Sequence, residues 1–190
     1  MYPKVSNLND LSYIECQGYI EALCERENEK QQLVYLSSPL YKGEGNWHEL
    51  FQSNHKIKYI NPKRWYTDDP GRLVFMDKLA ILNCDYMIAY IPKLSAGASM
   101  EILYASLHNK TVLTVVRKDL LSPWHSSHCR QLYTYEKKFL HTSLKCATPL
   151  LRQARQLIER EIEAKYSIKD ERLNNGKPRI KNQSFICSRR

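Results

Sequence analysis

Apolar residues along this chain gather in short continuous runs, separated by longer segments in which they recur every three or four positions. The runs are LVYLSS (33–38), IKYINP (57–62), DYMIAYI (85–91) and TVLTVV (111–116), and proline closes the first three. Runs of this length and β-branched character predict strands buried on both sides. Between them the period is helical. Residues 8–30 predict a helix capped by Asn9 or Asp10, with Leu11, Ile14, Gly18 and Ala22 as its inner stripe. Residues 72–83 predict another, with Leu73, Val74, Ala80 and Ile81 turned inward. A third covers 98–109 and stops at Asn109. NWHELFQSN reads as a short helix, and 122–140 as a turn followed by a helix. The last, 148–166, buries Leu150, Leu151, Ala154, Leu157, Ile158 and Ile162. YKGEGN (41–46), KRWYTDDPG (63–71) and PKLSAG (92–97) are polar loops.

Strands alternating with helices imply an α/β fold: a doubly wound, mainly parallel sheet of about five strands, Rossmann- or flavodoxin-like, with helices on both faces. In such sheets ligands bind beyond the carboxyl ends of the strands. That directs attention to SSPLYKGEG after the first strand and PKLSAGASME after the third. We read residues 1–166 as one nucleoside- or nucleotide-binding domain, with 1–31 a helical extension and 167–190 a basic flexible tail.

Composition changes this picture in three places. The chain of 190 residues bears a net charge of +9. Twelve basic and five acidic side chains follow from Lys145 onward, so the last quarter holds +7 and the first 144 residues about +2. Such a tail attracts polyanions, and nucleic acid is one candidate partner. No stretch approaches the ~18 apolar residues of a membrane span, and the start lacks a signal peptide's pattern, so a cytoplasmic, membrane-free protein is expected. The six cysteines form no C-x-x-C pair, and we read them as reduced, mostly buried thiols with no metal.

Two acids stand out of place. Glu101 shares a helix face with Ala98, Tyr104 and Ala105, which should pack on the sheet. It falls in the predicted first turn, where free N–H groups and the helix dipole should keep it ionised. The plain alternative is a capping glutamate. Asp77 lies within an apolar stripe, where it could instead pair with Lys78 or Arg72. Small residues at Ser95, Ala96, Gly97, Ala98 and Ser99 would let backbone N–H groups approach a phosphate or sugar hydroxyl. Trp65 and Tyr66 could stack on a base, and Trp124 could line the site. His125 and His128, near Cys129, lack a matching second pair of metal ligands and read as surface or partner contacts.

VYLSSPLY, FMDKLAILNCDYMIAYI and SAGASMEILYA followed by NKTVLTVV together resemble the nucleoside 2-deoxyribosyltransferase-like family, over roughly residues 32–145. That family has a first strand Y-L-x-(S/G)-P, an acidic segment D-x-x-x-I-x-x-(C/S/A)-D and a G-(T/S/A)-x-x-E-(I/L)-x-x-A helix. The resemblance implies that Glu101 is the nucleophile at C1′ of the sugar. It implies that Asp77 holds sugar hydroxyls or assists proton transfer, and that Tyr35 hydrogen-bonds the nucleophile. Ser37, Ser38, Gly97 and Ser99 fall where the family lines its sugar or phosphate pocket. Base-exchanging members have an aspartate six residues before the nucleophile; here that position is Ser95, which is nearer the nucleoside 5′-monophosphate N-hydrolase branch. The implied function is N-glycosidic cleavage of a nucleoside or its 5′-monophosphate, by hydrolysis or by transfer of the 2-deoxyribosyl group, with no cofactor and in a homodimer. The alternative is a catalytically silent nucleotide-binding module, or an effector brought to nucleic acid or protein by its basic tail.

Overall fold

A computed structural model describes residues 8–39, 46–136 and 143–175, the side chains of 143 and 168–175 excepted; residues 41–45 of the segment read as a loop and 176–190 of the segment read as a tail lie outside the described residues. Five parallel strands form one sheet in the order β2-β1-β3-β4-β5. They are β1 (Gln32–Ser37), β2 (Ile57–Ile60), β3 (Tyr86–Ile91), β4 (Thr111–Arg117) and β5 (Gln131–Tyr135). The fold is doubly wound α/β. α1 (Tyr13–Leu23), α2 (Pro70–Asn83) and α3 (Ala96–Leu107) cover one face, α5 (Ser143–Asn175) covers the other, and the short α4 (Pro123–His128) packs beside α3. The strand order reverses between β1 and β3, and a crevice opens at such a reversal.

Alternation along each strand builds two cores. Leu33 and Tyr35 of β1 join Cys16, Ile20, Met76, Ile81 and Ile102 on the α1–α3 face. Val34 and Leu36 join Trp47, Tyr90, Leu151, Ala154 and Ile158 on the other. The predicted inner face of α5 therefore holds, with Ala147 added and Leu150 and Leu157 only half-buried.

Several local readings are corrected. The first helix starts at Tyr13, and Ser12 caps it through a reciprocal box with Glu15, so Asn9 and Asp10 lie in a preceding 3-10 turn. Its buried side is Cys16, Ile20 and Leu23; Ile14 is 82% exposed, because the helix packs against α2 and the core beneath it on another stripe. On α2 the buried side is Met76, Asp77, Ala80 and Ile81, while Val74 is half exposed. Asp69 caps α2, and Pro70 occupies its first turn, where a missing N–H costs nothing. The segment read as a turn and helix at 122–140 contains α4 and then the fifth strand, β5, which pairs with β4. The last helix starts before Pro149, which lies inside it, and continues past Tyr166 to Asn175. Asn109 does end α3: at φ 58° it lets the amides of Asn109 and Lys110 bond back to Ser106 and Ala105.

Candidate active site

β1 and β3 deliver the chain to the same rim, and the helices that follow β2 and β3 flank the opening. A cavity of about 590 Å³ lies there. Its polar floor includes Ser38, Asp77, Ser95 and Glu101, and its walls are largely apolar, with Leu73, Ile81, Leu103 and Tyr104 among them. The size suits a small-molecule ligand.

The two acids meet at the floor. Tyr35 and Ser37 are two residues apart on β1, so both point toward α2 and α3. The Tyr35 hydroxyl donates to Asp77 Oδ1 at 3.1 Å. Trp65 Nε1 donates to the same oxygen at 2.8 Å. Ser37 Oγ donates to Glu101 Oε2 at 2.5 Å. The two carboxyls also lie within hydrogen-bonding reach of each other. The hydroxyl of Tyr35 thus bonds Asp77 first, and it is close enough to Glu101 to favour that group's charged form.

Charge is costly here. Burial pushes Glu101 up to about 8, and the neighbouring Asp77 charge adds to the rise. Burial raises Asp77 to about 6 against the pull of Trp65 and Tyr35. Desolvation outweighs the donors, so near neutral pH the pair shares a proton. This corrects the expectation of a freely ionised Glu101. The physical reason is the helix start: α3 begins at Ala96, which puts Glu101 in the second turn, beyond the free N–H groups.

The small-residue segment is not a loop. Ser95 is the cap of α3, accepting the Ala98 amide at 3.2 Å, and 96–99 form the first turn. The Ala96 and Gly97 amides are the helix's open donors by geometry, and both residues line the cavity. A Cβ on Gly97 would meet only Ser95 Oγ, at 3.9 Å, so the space above it belongs to the cavity. Ser99 turns away. Its hydroxyl donates to the Ser95 carbonyl at 3.0 Å and lies 3.3 Å from His125 Nε2.

Other residues differ from their sequence reading. Trp65 is fully buried and holds Asp77, so its ring does not face the cavity; Tyr66, beside it, lines the opening and is 54% exposed. Ser38 lines the cavity but accepts a bond from Trp47 Nε1 at 3.1 Å. His125 is buried, not a surface residue, and burial lowers its pKa. Trp124 is exposed and stacks on His128. Lys78, read from sequence as a pairing partner for Asp77, instead sits with its Nζ 5.5 Å above the Tyr104 ring at the cavity wall. Sequence reasoning passed over the Met100, Leu103 and Leu107 wall, although the i, i+3, i+7 spacing of that stripe was legible. Among the described residues no three His, Cys, Asp or Glu side chains gather to hold a metal ion. Nor is any helix among them long and apolar enough to cross a membrane.

Comparison with known protein families, with curated proteins and with solved structures finds no match to this chain.

Proposed function

We propose that this chain cleaves the N-glycosidic bond of a nucleoside 5′-monophosphate or nucleoside, with Glu101 as nucleophile. The observation that supports it most is the proton-sharing pair of Asp77 and Glu101 on the floor of a nucleotide-sized cavity. The resemblance of the segments around Tyr35, Asp77 and Glu101 to the nucleoside 2-deoxyribosyltransferase-like family points the same way.

A pair with one proton offers a carboxylate and a carboxylic acid together. The shared proton rests on Glu101, the group with the higher value, and passes to Asp77 as substrate binds; the Glu101 carboxylate then attacks C1′ as the bond to the base breaks, through an oxocarbenium-like state, and a glycosyl ester forms. Asp77 then holds the proton, orients a sugar hydroxyl and aids proton transfer. Ser37 and Tyr35 keep the two carboxyls in register. Water hydrolyses the ester, or a second base captures the sugar. The Ala96 and Gly97 amides with the Ser95 hydroxyl suit a 5′-phosphate, and Tyr66 and Tyr104 suit a base.

Val74, Met100 and Leu107 are half or more exposed beside the cavity, and the homodimer that the resemblance implies would cover them. We place the protein in the cytoplasm, where free thiols persist.

The test is incubation with nucleosides and nucleoside monophosphates, followed by chromatography for free base. Wild type releases base, and Glu101→Ala does not. Equal release by both would sink the mechanism, and nucleotide-induced thermal stabilisation without product would favour a silent binding module.

A further inference from the structure

The pair on the cavity floor leaves one chemical task unfilled. A purine or pyrimidine departs as an anion unless an acid protonates it, and general acid catalysis supplies roughly 10²–10⁴ in rate. In retaining glycosidases the acid and the nucleophile flank the breaking bond, about 5 Å apart. Here the two carboxyls lie side by side. Tyr35 and Ser37, two residues apart on one face of β1, hold Asp77 and Glu101 respectively.

A nucleophile attacks C1′ in line, from the side opposite the departing base. Asp77, beside Glu101, is therefore on the nucleophile's side of the sugar. Its Oδ1 accepts Tyr35 and Trp65, and the residue is only 7% exposed. It can take the proton of Glu101 but cannot reach across the sugar to the base. Among the described residues that line the cavity there is no other carboxyl and no imidazole. Ser38, Ser95, Tyr66 and Tyr104 offer hydroxyls, and the Lys78 ammonium sits over the Tyr104 ring. Hydroxyl and ammonium groups are weak acids at neutral pH.

The same surroundings suit a cation. One proton between two carboxyls leaves the floor with one negative charge. Tyr66 lines the opening, 54% exposed, and an aromatic face attracts a cation.

We propose that the substrate is a nucleoside 5′-phosphate whose base is a pyridinium cation, because the cavity holds both carboxyls on the nucleophile's side and, among the described residues, no strong acid opposite them. The inference rests on the glycosidic reading and names its substrate class. The Glu101 carboxylate attacks C1′. The bond from C1′ to the ring nitrogen breaks, and its electron pair stays on that nitrogen. The pyridine leaves neutral and takes no proton. Water then attacks C1′, the Glu101 oxygen departs as carboxylate, and the water's spare proton goes to solvent. Nothing is oxidised or reduced.

The experiment incubates the full chain with nicotinamide mononucleotide, with nicotinamide adenine dinucleotide and with the common purine and pyrimidine nucleoside monophosphates. Initial rates of base release are read by chromatography. Nicotinamide should leave with a kcat/KM roughly 10²–10⁴ above that of any purine or pyrimidine. The faster of the two nicotinamide substrates tells a mononucleotide site from a dinucleotide site. Tyr66→Ala should raise KM for that substrate severalfold with kcat held, and Tyr66→Phe should restore it. Purine or pyrimidine released as fast as nicotinamide, or in its place, overturns the pyridinium proposal and leaves the glycosidic reading standing. No base from any substrate overturns both.

Discussion

The two faces of the sheet bury polar groups on opposite terms. Under α2 and α3 lie two carboxyls, and each is met by donors: Tyr35 and Trp65 on Asp77, Ser37 on Glu101. Under α5 the core is aromatic, with Trp47 packed against Phe51 and Tyr90. Beside Trp47 sits His48, 8% exposed, with neither ring nitrogen hydrogen-bonded to any described residue. Both faces disfavour charge. Burial pushes the carboxyls up and His48 down, to about 3. The difference is access and support. The carboxyls are networked and open onto a cavity, which is how chemistry is arranged; the imidazole is sealed and unanswered, which costs stability.

The largest effect that would break this comparison belongs to the first face. Asp77→Asn keeps an acceptor for Trp65 and Tyr35 but removes the proton-sharing partner of Glu101. Base release should fall by roughly 10²–10⁴, with circular dichroism unchanged. A rate near wild type would mean the pair is structural.

Next comes the second face. Ile158→Ala opens the fully buried seam between α5 and the sheet. It should cost about 2–5 kcal/mol in urea unfolding. Base release per folded molecule should stay level, and a parallel loss of turnover would show that the faces are not separable.

The pH dependence of stability sharpens the contrast, because the two faces slope in opposite directions. The folded carboxyls hold protons that the unfolded chain has lost, so their contribution is full below the unfolded values of 3.8 and 4.5. It fades as pH rises through about 6 and about 8. His48 is the reverse: its contribution is full above the unfolded 6.5 and fades as pH falls toward about 3. Glu101→Gln should therefore flatten the alkaline limb of urea stability and leave the acid limb. An alkaline limb unchanged in that variant would contradict the burial argument.

The smallest effect is a gain. His48→Phe replaces an unanswered imidazole with an apolar ring beside Trp47 and should add about 1 kcal/mol. It should also soften the acid limb. Destabilisation instead would reveal a partner for the ring.

Much of the fold was legible because burial writes itself into period. Four strands and the helices α2, α3 and α5 follow from apolar spacing, with ends displaced by a few residues except at the end of α5, which runs nine residues past its predicted limit. The fifth strand, QLYTY, was not, because only Tyr135 in it is buried and an edge strand has no continuous apolar run. Helix α1 was found with the wrong inner stripe, since its apolar residues surround it and only its packing against α2 decides which of them are buried.

Glu101 and Asp77 were visible as acids among apolar neighbours, and that anomaly is a property of the sequence alone. Their meeting, the grip of Trp65 on Asp77 and the shared proton come only from the folded layer. With the bonds from Tyr35 and Ser37, those features join residues 12 to 64 positions apart, and the desolvation that raises both carboxyls exists only once α2 and α3 have closed over β1. Local spacing determines which elements form; dielectric and contact belong to the assembled interior.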